Sequence, residues 1–280
     1  MEIKFTKMHG LGNDFMVLDL VSKELVIAPE QIQQWADRRT GIGFDQLLII
    51  EPPDDPDVDF GYRIFNADGS QAEQCGNGAR CVAKLIADLG LSSKTTLILQ
   101  TNTGRIETRR LGDDRVEVNM GRPRMTAEEV PFTVTAALSC QSSAFTLAAL
   151  AREFSVTPIS MGNPHGVIFV DDIASTEVVE IGQALTRHPF FPEQANIGFC
   201  QIIDSGFIRL RVFERGVGET RACGTGACAA VVAGQLHGKL ADKVKVSLPG
   251  GKVRIQWHGG DSPVKMTGPA TFVYGGFLAA

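Results

Sequence analysis

Two stretches of the chain, 63–90 and 211–238, repeat one another without a gap. When they are superimposed, Cys75 falls on Cys223, 148 residues further along, and the centre of each stretch reads Cys-Gly-x-Gly-Ala. Earlier in each half, at an offset of 150 residues, Asn163 falls on Asn13 and Asn196 falls on Gln46. Self-similarity at a nearly fixed spacing over most of the chain predicts a duplicated fold.

Short strand patterns surround one helix pattern in each half. Strands are predicted at 95–101, 105–110 and 115–120 in the first half, and at 243–248 and 252–257 in the second. This order predicts an α+β protein of two pseudo-symmetric lobes, each a curved, mostly antiparallel sheet around a central helix. We expect the lobes at 1–121 and 122–267. The strand-like tail, 268–280, has no counterpart in the second half and is expected to return to the first lobe.

The two central helices differ in polarity. In the helix after Cys75, the residues Arg80, Lys84 and Asp88 are four apart, so they are predicted to share one narrow polar edge. The helix at 225–236 is apolar on every side and contains many small residues. It is therefore predicted to be fully buried.

Composition excludes several classes of partner and cofactor. The net charge of the 280-residue chain is −5 and no basic block occurs, which argues against nucleic acid or an anionic membrane. Apolar stretches are too short to span a bilayer, and the amino terminus has no secretory pattern. We therefore expect a cytoplasmic enzyme with reduced thiols and a small-molecule substrate. No zinc-ligand spacing or phosphate loop occurs, so no metal or cofactor is expected.

The position of the two repeated cysteines predicts acid–base chemistry. The first N–H groups of a helix have no internal partner and carry partial positive charge, so they bind carboxylates well. They are also expected to lower the pKa of a neighbouring thiol. Two such thiols on opposite faces of one carbon could remove a proton from one side and deliver one from the other. Cys75 and Cys223 are therefore predicted to invert a carbon next to a carboxylate.

The other cysteines are expected to be structural. Lone cysteines in an intracellular chain are most often small core residues. Packing alone is a poor explanation for Cys75 and Cys223, because both occupy one position of a duplicated, glycine-rich turn. The structural group comprises Cys81, Cys140, Cys200 and Cys228.

Polar residues near turns recur in pairs between the halves. Each alone would usually serve its own backbone, but matching positions favour a binding role. Arg215 is the natural partner of a second carboxylate, and His165 near a thiol could carry or relay a proton. The pairs are Asn13 with Asn163, Gln46 with Asn196, and Asn66 with Glu214.

Six motifs resemble the diaminopimelate epimerase family, in the family's order and without a departure at a motif position. This resemblance implies interconversion of LL- and meso-2,6-diaminopimelate without pyridoxal phosphate or metal, in lysine and peptidoglycan-precursor synthesis. It also implies two lobes that close over the substrate. The motifs are MHGLGNDF at 8–15, FNADGS at 65–70, CGNGAR at 75–80, MGNPH at 161–165, ERGVGET at 214–220 and ACGTG at 222–226.

The resemblance also implies a role for each motif residue. Cys75 and Cys223 become the acid–base pair, with His165 and Glu214 setting the protonation of the thiols. The family is typically a homodimer, and Tyr274 resembles its dimer-contact tyrosine. Backbone N–H groups of Gly76, Asn77, Gly224 and Thr225 would hold the reacting carboxylate, and the residues that line the rest of the site would be Asn13, Gln46, Asn66, Asn163, Asn196, Glu214 and Arg215.

The residues alone leave alternatives open, because they lead to inversion beside a carboxylate and not to diaminopimelate. A two-thiol racemase of proline or hydroxyproline is the nearest rival, although its pocket would need fewer polar residues for a distal end. A thiol redox switch without turnover is another, since two reactive thiols could form a disulfide. A carboxylate-binding module without chemistry is the third.

Overall fold

The computed structural model describes residues 2–72, 75–112, 114–134, 140–141 and 143–279, with the side chains of residues 140, 141 and 279 outside that description. The predicted core role of Cys140 therefore lies outside the described side chains. The chain divides into two compact units, Met1–Asn119 with Thr267–Ala280, and Met120–Met266.

The described residues form strands and helices in the following chain order. They are β1 (Glu2–Gly10), β2 (Asn13–Asp19), α1 (Pro29–Ala36), β3 (Gln46–Glu51), β4 (Phe60–Asn66), α2 (Gly76–Asp88), β5 (Thr96–Thr101), β6 (Gly104–Arg110), β7 (Arg115–Asn119), β8 (Cys140–Gln141), β9 (Ala144–Ala149), β10 (Arg152–Ser160), β11 (Pro164–Phe169), α3 (Val178–Thr186), β12 (Asn196–Asp204), β13 (Phe207–Glu214), β14 (Gly218–Thr220), α4 (Gly224–Leu236), β15 (Lys243–Leu248), β16 (Gly251–Gln256), β17 (Lys265–Pro269) and β18 (Thr271–Ala279).

The sheet of the first unit is mixed. Strands follow one another in the order β18, β1, β2, β3, β4, β5, β6 and β7. The pairs β2–β3 and β4–β5 are parallel, and the other neighbours are antiparallel. Helix α2 packs against β1, β2 and β3 and also against β6 and β7, so the sheet curves around it.

From β9 to β16 the second unit repeats the order of β18 to β6. Its strands follow as β8, β9, β10, β11, β12, β13, β15 and β16, with β11–β12 and β13–β15 parallel. Helix α4 packs against β10 to β13 and against β16. The short strand β14 is an addition that pairs with β13.

Strand registers repeat between the units as well. Phe15 pairs with Gln46 in the first unit, and His165 pairs with Asn196 in the second, so both positions move by 150 residues. Ile49 pairs with Arg63, and Phe199 pairs with Arg211, at the offsets of 150 and 148 found in the sequence. The predicted α+β fold with a sheet around each central helix is confirmed, with two parallel pairs in each of these strand series.

Burial differs from the prediction at one residue of α2 and agrees with the prediction for α4. Arg80 has no exposed surface, so the predicted polar edge is wrong at this residue. It turns away from solvent because its guanidinium donates to Asn77 and to the carbonyl of Pro269. In α4 the buried residues run from Gly226 through Gly234, as the apolar pattern predicts.

A second apolar layer covers the outer face of each sheet. In the first unit, Ile32 and Ala36 of α1 pack with buried residues of β1, β2 and β3. In the second, Val178, Ile181 and Leu185 of α3 pack with Ile197 and Phe199. Proline at its first position lets α1 begin at Pro29, and the helix ends at Ala36.

The carboxyl-terminal strand belongs to the first unit. Strand β18 pairs antiparallel with β1, from Glu2 opposite Ala279 to His9 opposite Thr271. In the second unit β9 occupies the same place beside β10, so the tail does have a structural counterpart, which its sequence did not reveal. Among the described residues, no helix is long and apolar enough to cross a bilayer.

The contact between α3 and β13 gives a test of the packing. A Cβ atom added at Gly182 would lie 2.4 Å from Cβ and 2.5 Å from Cγ of Phe213. Because Cβ of Phe213 is fixed by its strand, Gly182→Ala should lower the free energy of unfolding by about 1–3 kcal/mol. Chemical denaturation measures the change.

The matched control is another glycine of the same unit. At Gly198 the nearest atom to an added Cβ is Leu210 Cδ1 at 3.6 Å, an ordinary contact. Gly198→Ala should therefore keep the free energy of unfolding or raise it by up to about 1 kcal/mol. Equal destabilisation by both substitutions would contradict the packing described for α3.

Candidate active site

The predicted polar residues of the first unit meet at one edge of its sheet. Asn13 and Gln46 begin two parallel strands, and Asn66 ends the antiparallel strand beside them. Gln46 Nε2 donates to Asn66 Oδ1 at 3.0 Å, and Asn66 Nδ2 donates to Ser70 Oγ at 3.1 Å. Cys75 lies next to this group, with Sγ 3.7 Å from Asn13 Oδ1.

The second unit builds the corresponding edge. Asn163 directly precedes β11, Asn196 begins β12, and Glu214 ends β13. Asn196 Oδ1 accepts a hydrogen bond from the backbone N–H of Arg215 at 2.9 Å, while the Arg215 guanidinium reaches the carbonyl of Glu193 at 2.8 Å. The side chain of Asn196 thus holds the turn from which Arg215 projects.

Both cysteines cap their helices, and glycine allows each cap to lie against the sheet. Cys75 precedes α2 and Cys223 precedes α4, each in extended backbone geometry. An added Cβ at Gly78 would lie 2.3 Å from the hydroxyl oxygen of Tyr62, and one at Gly226 would lie 3.0 Å from Val212 Cγ2. Larger residues at these positions would push the helix start away from the strands.

The two thiols have different hydrogen-bond partners. Cys75 Sγ accepts a bond from the backbone N–H of Gly78 at 3.3 Å. Cys223 Sγ lies 3.2 Å from Glu214 Oε2, so its S–H donates to a carboxylate. Thr225 Oγ1 lies 3.6 Å from the same sulfur. A backbone N–H of the helix start reaches each sulfur, so the two thiols differ in their acceptor: the amide oxygen of Asn13 beside Cys75 and the carboxylate of Glu214 beside Cys223. A neighbouring carboxylate favours the neutral thiol.

The protonation of Cys223 differs from the prediction. Burial raises the pKa of this thiol well above its ordinary value, and the negative charge of Glu214 raises it further. Hydrogen bonds from Thr225 and from the Gly226 backbone act in the opposite direction without reversing the result. The prediction that the helix start lowers the pKa of the thiol is therefore wrong for Cys223, because desolvation and the Glu214 charge exceed the opposing hydrogen bonds.

His165 is buried and neutral. Burial lowers its pKa to about 3, and the positive charge of Arg215 adds to the effect. Its Nε2 lies 3.1 Å from Asn163 Oδ1, which makes Nε2 the protonated nitrogen. Nδ1 is buried and has no hydrogen-bond partner among the described residues. His165 therefore orients Asn163 in this state and presents an unprotonated nitrogen.

The backbone groups expected to hold a carboxylate lie at accessible helix starts. Gly76, Gly224 and Thr225 are partly exposed, while the side chain of Asn77 is buried. N–H groups at this position of a helix favour an anion. Tyr274, the predicted dimer contact, lies on β18, where its ring meets Phe5 edge-on at 6.0 Å between centroids.

Sequence reasoning missed three residues that hold the predicted ones in place. Asp45 accepts from Asn13 Nδ2 at 3.0 Å, Arg80 donates to Asn77 Oδ1 at 2.9 Å, and the hydroxyl of Thr220 donates to Glu214 Oε1. Asp45 and Thr220 are close in the chain to predicted residues, and Arg80 was assigned to a helix edge. Only their tertiary contacts distinguish them.

The salt bridges around Asp14 pin the turn that contains Asn13. Asp14 pairs with Lys7 at 2.5 Å and with Arg38 at 2.7 Å. Although burial raises the pKa of Asp14, the hydrogen bonds and charges of Arg38 and Lys7 lower it to about 2. The carboxylate is therefore ionised throughout the neutral range.

Comparison with known proteins places these features in a family context. The family model described as Diaminopimelate epimerase matches residues 5–126 and 157–273. A diaminopimelate epimerase of Ectopseudomonas mendocina (strain ymp) is 51% identical over 276 residues, with 99% of each chain covered. One from Pseudomonas aeruginosa (strain LESB58) is 52% identical over 276 residues, again with 99% of each chain covered.

Solved structures of lower sequence identity share the fold. A hydroxyproline epimerase from Agrobacterium vitis, with bound trans-4-hydroxy-L-proline, has a TM-score of 0.70 at 16% identity and covers 99% of this chain and 92% of its own. A Bacillus anthracis phenazine biosynthesis protein of the PhzF family has a TM-score of 0.69 at 14% identity, with both chains fully covered. At these identities the likeness concerns the fold alone.

The contact between Glu214 and Cys223 predicts a pH effect. The negative charge of Glu214 raises the pKa of Cys223, so Glu214→Gln should lower it towards the ordinary value, while burial keeps part of the rise. The pH at which Cys223 becomes reactive to iodoacetamide should therefore fall. Mass spectrometry locates the label on Cys223.

A carboxylate of the same unit provides the control. Glu219 pairs with Arg211 at 2.6 Å and makes no described contact with Cys223. Glu219→Gln should leave the alkylation midpoint of Cys223 as in the parent. An unchanged midpoint in Glu214→Gln would show that the Glu214 charge does not control this thiol.

Proposed function

The chain belongs to the diaminopimelate epimerase family, and we propose that it interconverts LL- and meso-2,6-diaminopimelate with Cys75 and Cys223 as its two bases. One observation supports these residues above the others. In both units the same strand pair ends in polar side chains, and the same glycine-rich turn then places a cysteine at the start of the central helix. Two cysteines kept by chance would not be expected at equivalent positions of the two units.

The different surroundings of the thiols assign their starting roles. Cys223 is a neutral thiol, because burial and Glu214 raise its pKa, so it begins as the acid. Cys75 lies beside the amide oxygen of Asn13, where Cys223 has the carboxylate of Glu214, so we assign Cys75 the starting role of base. Cys75 takes the α-proton as the C–H bond breaks, and Cys223 delivers its proton to the opposite face. Because one proton is removed and one is delivered, no net proton is consumed. The reverse reaction exchanges the roles of the two thiols.

Both helix starts would stabilise the intermediate charge. As the proton leaves, negative charge spreads from the α-carbon to the neighbouring carboxylate. Backbone N–H groups of Gly76 and Asn77 on one side, and of Gly224 and Thr225 on the other, would bind that carboxylate. Such donors are already oriented before the reaction, so they stabilise the developing charge without reorganisation.

The distal end of the substrate requires a different set of groups. A second ammonium and carboxylate need both acceptors and donors, and the paired strand ends supply them. Glu214 and Asn66 occupy equivalent positions but differ in charge, and Arg215 adds a cation in the second unit alone. This asymmetry suits a substrate with one reacting and one non-reacting end. The proposed binding residues are Asn13, Gln46, Asn66, Asn163, Asn196, Glu214 and Arg215.

His165 would influence the site while neutral. Its low pKa argues against a resting proton donor at neutral pH. It instead fixes the amide of Asn163 through Nε2, which leaves Nδ1 as an acceptor. We assign His165 and Glu214 to the control of thiol protonation, Glu214 through direct contact with Cys223.

A homodimer with β18 at its interface would cover an exposed apolar strand. Phe272, Val273, Tyr274 and Phe277 are 54%, 48%, 42% and 64% exposed. Apolar side chains concentrated on one strand favour association with another surface. A second copy of the chain is the proposed partner, and the cytoplasm, where lysine synthesis would use the product, is the proposed location.

The rival substrates have one specific point in their favour, since a hydroxyproline epimerase shares the fold. The activity assay should therefore also test proline and hydroxyproline as alternative substrates. In deuterated water, LL-diaminopimelate should acquire deuterium at the α-carbon. Mass spectrometry measures this uptake of deuterium. Cys75→Ala and Cys223→Ala should each lose at least about 100-fold in turnover, because each removes one acid–base group.

The control is a cysteine away from the helix starts. Cys200 is fully buried on β12, and Cys200→Ala should retain most of the turnover. Parent-rate epimerisation by either Cys75→Ala or Cys223→Ala would rule out the two-base mechanism. Turnover of hydroxyproline but not of diaminopimelate would favour the racemase, and absence of turnover under reducing conditions would favour a redox switch or a binding module.

The dimer prediction concerns two exposed side chains of β18, Tyr274 and Phe277. Tyr274→Asp combined with Phe277→Asp places two charges on that strand, so the assembly should dissociate to a species of half the mass. Light scattering coupled to size-exclusion chromatography measures the mass of the assembly. Val26→Asp, at a valine that is 95% exposed in the same unit, is the control and should retain the parent mass. A parent that already has the mass of one chain would contradict the proposal.

A further inference from the structure

Four side chains of the first unit form a continuous hydrogen-bonded series beside Cys75. Arg80 Nη2 donates to Asn77 Oδ1 at 2.9 Å, and Asn77 Nδ2 donates to Asn13 Oδ1 at 3.3 Å. Asn13 Nδ2 in turn donates to Asp45 Oδ2 at 3.0 Å. The series, which we call the amide relay, connects α2, the β1–β2 turn and the segment before β3.

The two ends of the amide relay determine its direction. A guanidinium can only donate hydrogen bonds, and an ionised carboxylate can only accept them. With Arg80 at one end and Asp45 at the other, each amide between them has one orientation that satisfies both neighbours. An amide turned by 180° would place two donors or two acceptors face to face.

Both ends are themselves held firmly. Arg80 has no exposed surface, and its guanidinium also donates to the carbonyls of Pro269 at 3.1 Å and Gly76 at 3.5 Å. An added Cβ at Gly10 would lie 3.0 Å from Arg80 Nη2, so the turn packs closely on the guanidinium. Asp45 pairs with Arg38 at 2.7 Å. The relay therefore joins two anchored charges through two amides.

The fixed orientation of Asn13 has a consequence for Cys75. Because Nδ2 of Asn13 faces Asp45, its Oδ1 faces the sulfur at 3.7 Å and accepts the S–H of the protonated thiol. The backbone N–H of Gly78, at 3.3 Å, is the partner for the thiolate. Each protonation state of Cys75 thus has its own hydrogen-bond partner.

We propose that Arg80 and Asp45 are positioning residues, which hold the acceptor of Asn13 towards Cys75 so that this thiol can both give and take a proton. A two-base inversion requires this of each thiol, since every turnover in one direction leaves Cys75 protonated. The inference rests on the proposed role of Cys75. Its test uses thiol reactivity, which does not depend on turnover.

Two neighbouring groups that could lose a proton, Tyr62 and Cys81, stay neutral over the range of the test. Burial raises the pKa of Tyr62 well above its ordinary value and that of Cys81 to about 12, with the charge of Cys75 adding to both. Asp45, Arg38 and Asp14 are the charged groups on the other side, and Arg80 lies behind Asn77. The pH dependence of Cys75 alkylation therefore reports this thiol and not the ionisation of Tyr62 or Cys81.

The experiment is a double-mutant cycle on the two ends of the relay. Asp45→Asn removes the charge but can still offer an oxygen, and Arg80 alone then keeps the direction. Arg80→Met removes the donor, and Asp45 alone keeps the direction. Only the double variant allows Asn13 to turn its NH₂ group towards the sulfur, where a donor favours the thiolate.

The relay predicts a non-additive result. Each single variant should move the midpoint of Cys75 alkylation slightly, in opposite directions, because one loses a negative and the other a positive charge. In the double variant, the midpoint of Cys75 alkylation should lie about 0.5–1 pH unit below the value that the sum of the two single shifts gives. This difference is the size expected for one exchanged hydrogen bond. Mass spectrometry separates the label on Cys75 from labels on other cysteines.

Two further variants keep the outcome decisive. Asp45→Asn with Arg80→Lys retains a donor-only cation and should return the midpoint to that of Asp45→Asn alone. If the Arg80→Met variants do not fold, Asp45→Asn with Asn77→Ser interrupts the relay in the middle and should show the same additional fall. Additive shifts in a folded double variant would overturn the proposal. If the two-base mechanism itself were wrong, Cys75→Ala would still epimerise the substrate. That result does not depend on the alkylation of Cys75.

Discussion

The close approach of each central helix to the strand ends is the constraint on which the site depends. At Gly78 an added Cβ would overlap the hydroxyl oxygen of Tyr62, and at Gly226 it would press on Val212. Without these glycines the helix starts would move outward, and with them the capping cysteines and the N–H groups beside them. Packing around two glycines therefore underlies both the thiol positions and the proposed carboxylate site.

Duplication provides the framework, and departures from it provide the chemistry. The registers of the paired strands repeat at the same offsets as the sequence. Within that repeated frame, Cys75 is next to an amide oxygen and Cys223 is next to the carboxylate of Glu214. Two equivalent thiols would have equal acidity, whereas an acid and a base must differ before the reaction begins.

Residues at the candidate site show why local sequence patterns do not predict burial or contacts between distant segments. Spacing placed Arg80 with Lys84 on a narrow polar edge of α2, yet the arginine is fully buried, and its guanidinium donates to Asn77 of the same helix and to the distant carbonyl of Pro269. The acidity of Cys223 was also mispredicted, since the helix start was considered without the desolvation and the neighbouring carboxylate. Both errors arise from groups brought together by folding.

By itself the sequence determined the duplication, the α+β architecture and the position of each repeated cysteine at a helix start, because these follow from spacing within short segments. The paired polar residues at the strand ends were predicted in the same way. Tertiary structure alone decided that the pKa of Cys223 is raised and which groups Asn13 contacts. Asp45 reaches Asn13 across 32 residues, and Arg80 reaches Pro269 across 189. Burial and partners so distant in the chain have no signature in local sequence.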